Sequence, residues 1–280
     1  MKKNKLNFKL IFQIFFFVHI LNVSYSKNID KFHEASNISN YFSGILFLTD
    51  NEYNKAYKYL RSLEGLENEH NTYIKSYYYS LINSQKFQEA YVYSKKLEKK
   101  NIDNFESNLI MGVYYIKNSN YDKASFYINK LTDNNQTTNA QVLLAQSIGN
   151  WIRLRKTTEI NGLKLINSIP SSFENMKKIQ STLAKCYFNS HQTAQGFEQL
   201  ISDKKNNFSR YNFFYANYLN NQGKIESSKN IIKESLKLYP KNLILKQFNE
   251  DLKIKNKKIF SNKFNCQNLS HNVAEIFYIV

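Results

Sequence analysis

Asn51-Glu-Tyr-Asn-Lys-Ala-Tyr-Lys-Tyr-Leu60 decides the fold, because it returns twice more at a fixed distance: as Gln85-Lys-Phe-Gln-Glu-Ala-Tyr-Val-Tyr-Ser94 and as Ser119-Asn-Tyr-Asp-Lys-Ala-Ser-Phe-Tyr-Ile128. Ala56, Ala90 and Ala124 are spaced 34 residues apart, and the same interval separates Tyr53, Phe87 and Tyr121. It also separates Leu63, Leu97 and Leu131. A period of 34 belongs to a unit of two helices joined by a turn, which cannot bury its apolar side alone and must stack on copies of itself.

Working outward, each repeat is preceded by an apolar helix: about Ile38 to Leu48, Tyr73 to Ile82, and Phe105 to Ile116. Twelve residues before each alanine stand Gly44, Tyr78 and Gly112. A small residue at both points lets the two helices of a hairpin approach closely, and the ring at Tyr53, Phe87 or Tyr121 then covers the seam. Tyr78 breaks that rule, so the second hairpin is expected to be splayed or shifted. Scarce glycine (7) and proline (2) also favour helices over strands joined by tight turns.

These residues resemble the tetratricopeptide repeat. Gly112, Tyr115, Tyr121 and Ala124 match four of that family's positions in register, as do Gly44, Phe47, Tyr53 and Ala56. The family's closing proline is absent from the first three units. The register slips over 138–170, where a longer apolar helix covers 139–155 and the next small residue, Gly162, comes 38 after Ala124. The period resumes with Gly196, 34 after Gly162 and twelve after Ala184. A sixth unit holds Ala216, Gly223 and Ser228, with Pro240 where the family's proline belongs. The resemblance implies an all-α, right-handed α-solenoid of about six helix pairs over 37–240.

Outside it, residues 1–26 read as a secretory signal or a signal-anchor. Lysines precede an apolar run from Leu10 to Val23, and Ser24-Tyr-Ser26 offers small residues for cleavage. Residues 27–36 form a polar lead-in, 241–260 a further helix, and 261–271 a linker. Residues 272–280 start another apolar helix without a polar cap, which suggests a chain continuing in a longer protein. Export would place the protein in the periplasm or the bacterial envelope.

The net charge of +17, with a pI near 9.5, permits contact with an anionic membrane surface or acidic protein. No nucleic-acid partner, small-molecule substrate, cofactor or metal is expected. No phosphate loop, nucleophile elbow or zinc motif is present, and the five histidines are scattered, so no catalytic residue is assigned. Cys186 and Cys266 show no metal spacing. An oxidising compartment permits their pairing, but the expectation is a buried Cys186 and a free loop thiol at Cys266.

Function is therefore sought on the concave face that the resemblance assigns to the first helices. That face presents Tyr41, Ile45 and Leu48, then Lys75, Tyr79 and Ile82, then Leu109, Val113 and Lys117. Lys178 and Lys185 follow, and finally Arg210, Phe213 and Asn217. Candidate partner contacts are Lys75, Tyr79, Lys117, Lys185, Arg210, Phe213 and Asn217: aromatic rings beside cations suit a peptide. The family's clamp for a C-terminal carboxylate is missing, since Lys75 is followed one turn later by Tyr79. The expected role is a non-catalytic scaffold that binds a protein or peptide. The alternatives are a basic module for anionic lipid or polymer, or the N-terminal part of a larger enzyme.

Overall fold

A computed structural model describes residues 34–132, 138–202, 208–254 and 264–279. The expected signal at 1–26 and most of the lead-in lie outside them. Among the described residues there are fourteen α-helices and no strand. No described helix is long and apolar enough to cross a membrane.

The helices form sequential hairpins. These are α1 (Ala35–Thr49) with α2 (Tyr53–Arg61) and α5 (Phe105–Lys117) with α6 (Tyr121–Asn129); between them α3 (Asn71–Asn83) leads through a tight turn into α4 (Phe87–Lys99). Then come α7 (Asn139–Leu154) with α8 (Glu159–Asn167), α9 (Glu174–Tyr187) with α10 (Thr193–Ser202), and α11 (Ser209–Asn221) with α12 (Ile225–Leu238). Helices α13 (Leu243–Ile254) and α14 (Leu269–Ile279) follow. The chain divides into two compact units, one ending at Ala90 and the other beginning at Tyr91, inside α4.

The 34-residue period is written in the backbone as well. Asn51, Gln85 and Ser119 each adopt a left-handed conformation, as do Asn189 and Gly223 in later hairpins. In each case the following amide bonds back across the turn: Glu52 to the Phe47 carbonyl, Lys86 to Leu81, Asn120 to Tyr115, Ser190 to Lys185, and Lys224 to Leu219, all at 2.8–2.9 Å. This six-residue closure satisfies a carbonyl that the ending helix would otherwise orphan. Helix starts are fixed chemically too. Asn104 and Ser107 form a reciprocal capping box at α5, and Thr138 and Gln141 do so at α7.

In the first unit Ala56 is fully buried, and a methyl added to Gly44 would lie 2.7 Å from Leu60. Tyr73 stacks on Tyr77, which stacks on Tyr57, and the Tyr73 hydroxyl donates to the Leu60 carbonyl. Phe87, expected over a seam, is 55% exposed instead. In the second unit Gly112 repeats the contact of Gly44: an added methyl would meet Ile128 at 2.5 Å, with the Ala124 carbonyl 3.8 Å away. Tyr121 lies half-buried under the Arg155 guanidinium. Ser228 replaces the small alanine in the last hairpin and donates to the Ala216 carbonyl. Pro240 stands exposed just past the end of α12.

Two expectations change here. In the fifth hairpin the turn is two residues longer, from Asn189 to Gln192, so Thr182 rather than Ala184 faces Gly196, at 3.0 Å from an added methyl. And Cys266 is not a free thiol: it forms a disulfide with Cys186 across 80 residues of sequence, with Cα atoms 5.8 Å apart. Cys186 is buried on α9, and the segment from Phe264 onward lies against the second unit, which brings the two sulfurs together.

Candidate functional site on the first helices of the second unit

In the second unit the helices from α5 to α13 pack on their neighbours in sequence, but the last helix does not continue the series. α14 turns back and lies against α5, α7 and α9. These are first helices, the elements from which the candidate face was drawn. Leu269, Val273 and Ile276, spaced as one stripe of a helix, are buried in the same core as Ile148, Trp151 and Leu183.

The segment is anchored at both ends. At its start Phe264 stacks on Phe214 with ring centroids 3.7 Å apart, and the Asn217 side chain donates to the Phe264 carbonyl. The disulfide follows two residues later. Asn272 donates to the Cys266 carbonyl at 2.6 Å, and the Asn265 amide donates to Nδ1 of His271 at 3.0 Å. Burial holds the His271 pKa below the usual imidazole value. An acceptor at Nδ1 requires the unprotonated nitrogen, which agrees with that direction.

At the far end Glu275 is 0% exposed and needs a cation. Arg210 supplies it: Nε lies 2.9 and 2.7 Å from the two carboxylate oxygens, and the terminal nitrogen bonds at 2.6 Å. The Tyr211 hydroxyl donates to the same carboxylate at 3.1 Å. The guanidinium sits between the rings of Phe214 and Tyr278, 5.0 and 4.4 Å from their centroids. Burial would lower the Arg210 pKa, but Glu275 more than offsets this and raises it. Burial and then the Glu275 charge push the Tyr211 hydroxyl well above the ordinary phenol range.

The candidate contacts thus separate. Arg210 and Asn217 converge on the C-terminal segment. Lys185 lines a cleft of about 470 Å³ with Lys177, Lys178, Gln199 and Tyr211, and Lys117 stands exposed at the end of α5. Phe213 packs edge-on against Phe248 of α13, a contact with the next helix rather than with the site. In the other unit Lys75 is exposed on α3, and Tyr79, half exposed, meets Tyr53 edge-on.

Sequence reasoning missed Glu275, Tyr211, Phe264 and the cysteine pair. The available signal was Glu275, a carboxylate one residue before Ile276 in an otherwise apolar run. No family model, curated protein or solved structure matches the chain.

Proposed function

We propose that the protein is a non-catalytic scaffold of the tetratricopeptide-like solenoid kind, which binds a protein or peptide on the face of its first helices. One observation carries this reading: that face in the second unit already holds a helix, α14, by an apolar stripe and a buried Arg210–Glu275 pair. Helix-in-groove recognition uses the same elements between separate chains. The recurrent left-handed turns and the glycine seams at Gly44 and Gly112 support the solenoid. A disulfide supports residence in an oxidising compartment, in keeping with export to the periplasm or envelope.

Site-specific photocrosslinking in cells tests the reading. A benzophenone side chain at Tyr79 or Lys185 should capture a partner protein. One at the exposed second-helix positions Val92 or Phe126 should not. Equal capture from both sets would overturn the assignment of the face. Capture lost between about 50 and 500 mM salt would favour the anionic-surface alternative, because exposed charges are screened over that range.

A further inference from the structure

We propose that the face formed by α7, α9 and α11 is a docking groove for an amphipathic helix bearing a carboxylate. Residues 264–279 occupy it in cis, and the Cys186–Cys266 disulfide keeps them there until a dithiol reductant lets an external helix compete. The proposal rests on the scaffold reading and names the chemistry of the partner.

The occupant defines the specification. It offers apolar residues at positions i, i+4 and i+7 (Leu269, Val273, Ile276) and a carboxylate at i+6 (Glu275). The groove answers with an apolar floor and with Arg210, which lies over the Phe214 ring and is assisted by the Tyr211 hydroxyl, while the occupant adds the Tyr278 ring over the same guanidinium. A carboxylate buried without such a partner would be expelled, so the pair selects acidic helices over neutral or basic ones.

The fit of α14 is incomplete. Ser147 Oγ on α7, Gln180 Nε2 on α9, Asn217 Oδ1 on α11 and Asn272 Oδ1 on α14 itself are buried without a hydrogen-bond partner. Buried polar groups left unpaired oppose docking. All four lie on helices that hold the segment or on the segment itself. An occupant whose side chains reach Ser147, Gln180 or Asn217 would bind better than α14 does.

The covalent link compensates. With the disulfide closed, residue 266 cannot leave α9, and an external helix faces a groove whose occupant is always present. Cys266 is partly accessible while Cys186 is buried, so a dithiolate attacks the Cys266 sulfur and releases the Cys186 thiolate. The second reductant thiolate then closes on the mixed disulfide, which frees Cys266. The reductant leaves as its own disulfide, and two electrons and two protons end on the two cysteines.

Two measurements on the full chain test this. First, hydrogen exchange is compared before and after reduction with dithiothreitol. Residues 264–279 should exchange faster while α7, α9 and α11 keep their protection. Loss of protection across the whole unit together would show that the bond is only a structural staple, and unchanged exchange in 264–279 would show that it restrains nothing; either overturns the proposal. Second, the probe is a fluorescein-labelled synthetic peptide of residues 264–279 carrying Cys266→Ser. It should bind the reduced protein at least about tenfold more tightly than the oxidised protein, and Glu275→Gln in the peptide should weaken binding about tenfold. Equal affinity in the two redox states, no binding in either, or no effect of the glutamine peptide would overturn it. Photocrosslinks from Tyr79 that persist in that event would leave the broader scaffold reading standing.

Discussion

Removing the disulfide, by Cys186→Ser with Cys266→Ser, should lower the melting temperature of the second unit by several degrees. The bond closes a loop of 80 residues, and loop-closure entropy assigns such a cross-link about 4.5 kcal/mol at 25 °C. The unit runs from Tyr91 to Val280, and unfolding entropy of ~2.1 cal/mol/K per residue gives it roughly 0.4 kcal/mol/K. The quotient is a fall of about 11 °C. This is a ceiling, because a reduced segment 264–279 that detaches before the unit melts relieves its unpaired polar atoms and returns part of the loss. Circular dichroism or calorimetry on the oxidised protein and the double variant measures the shift directly, with peptide mapping under non-reducing conditions to verify the linkage. A fall of less than about 2 °C, under roughly 1 kcal/mol by the same entropy, would refute the reasoning, since native disulfides over shorter loops contribute more than that.

Ala124→Leu should destabilise by about 1–3 kcal/mol in urea denaturation, because Ala124 is fully buried at the seam with Gly112. Ser125→Leu, one residue on and half-exposed, should stay within about 0.5 kcal/mol. Acidification should weaken the C-terminal segment through His271, whose folded pKa lies below its unfolded value near 6.5. Above that pH both states are neutral and the contribution is complete. As the pH falls through about 6.5 the unfolded chain takes the proton first, and stability is lost until the lower folded pKa is reached. Denaturation midpoints from pH 7.5 to 5 should therefore fall further for the wild type than for His271→Gln. Trp151→Phe should destabilise by about 1–3 kcal/mol in the same assay, since it leaves the buried Gln180 without the indole donor it now accepts from.

The hairpins were legible because close helix approach demands small residues, and Gly44, Gly112, Ala56 and Ala124 display that demand at a fixed interval. The turns between them were not, since Asn51, Gln85 and Ser119 hold a left-handed backbone without the glycine that would advertise it; the closing hydrogen bond fixes the conformation instead. Spacing misassigned Ala184 in the fifth hairpin because a two-residue extension of the turn shifts its helix against α10. The destination of α14 was hidden for another reason. Its pattern shows that Leu269, Val273 and Ile276 share a face but not which face they meet, and Arg210 and Glu275 stand 65 residues apart. Arg210 and Asn217 were singled out from the repeat register as contacts for a partner, whereas the segment they meet, a distant part of the same chain, leaves no local signal.

A double-mutant cycle across Arg210 and Glu275, read by urea denaturation of the full chain, tests most directly whether the first-helix face holds the C-terminal helix. Arg210→Ala alone should be the costlier single change, about 3–5 kcal/mol, because it strands a carboxylate that is fully buried. Glu275→Ala leaves a guanidinium that keeps partial access to water and should cost less. The double variant should be more stable than the sum of the two losses implies, by about 1.5 kcal/mol or more. Losses that add within about 0.5 kcal/mol would mean that the two side chains do not meet, and that α14 does not occupy this face.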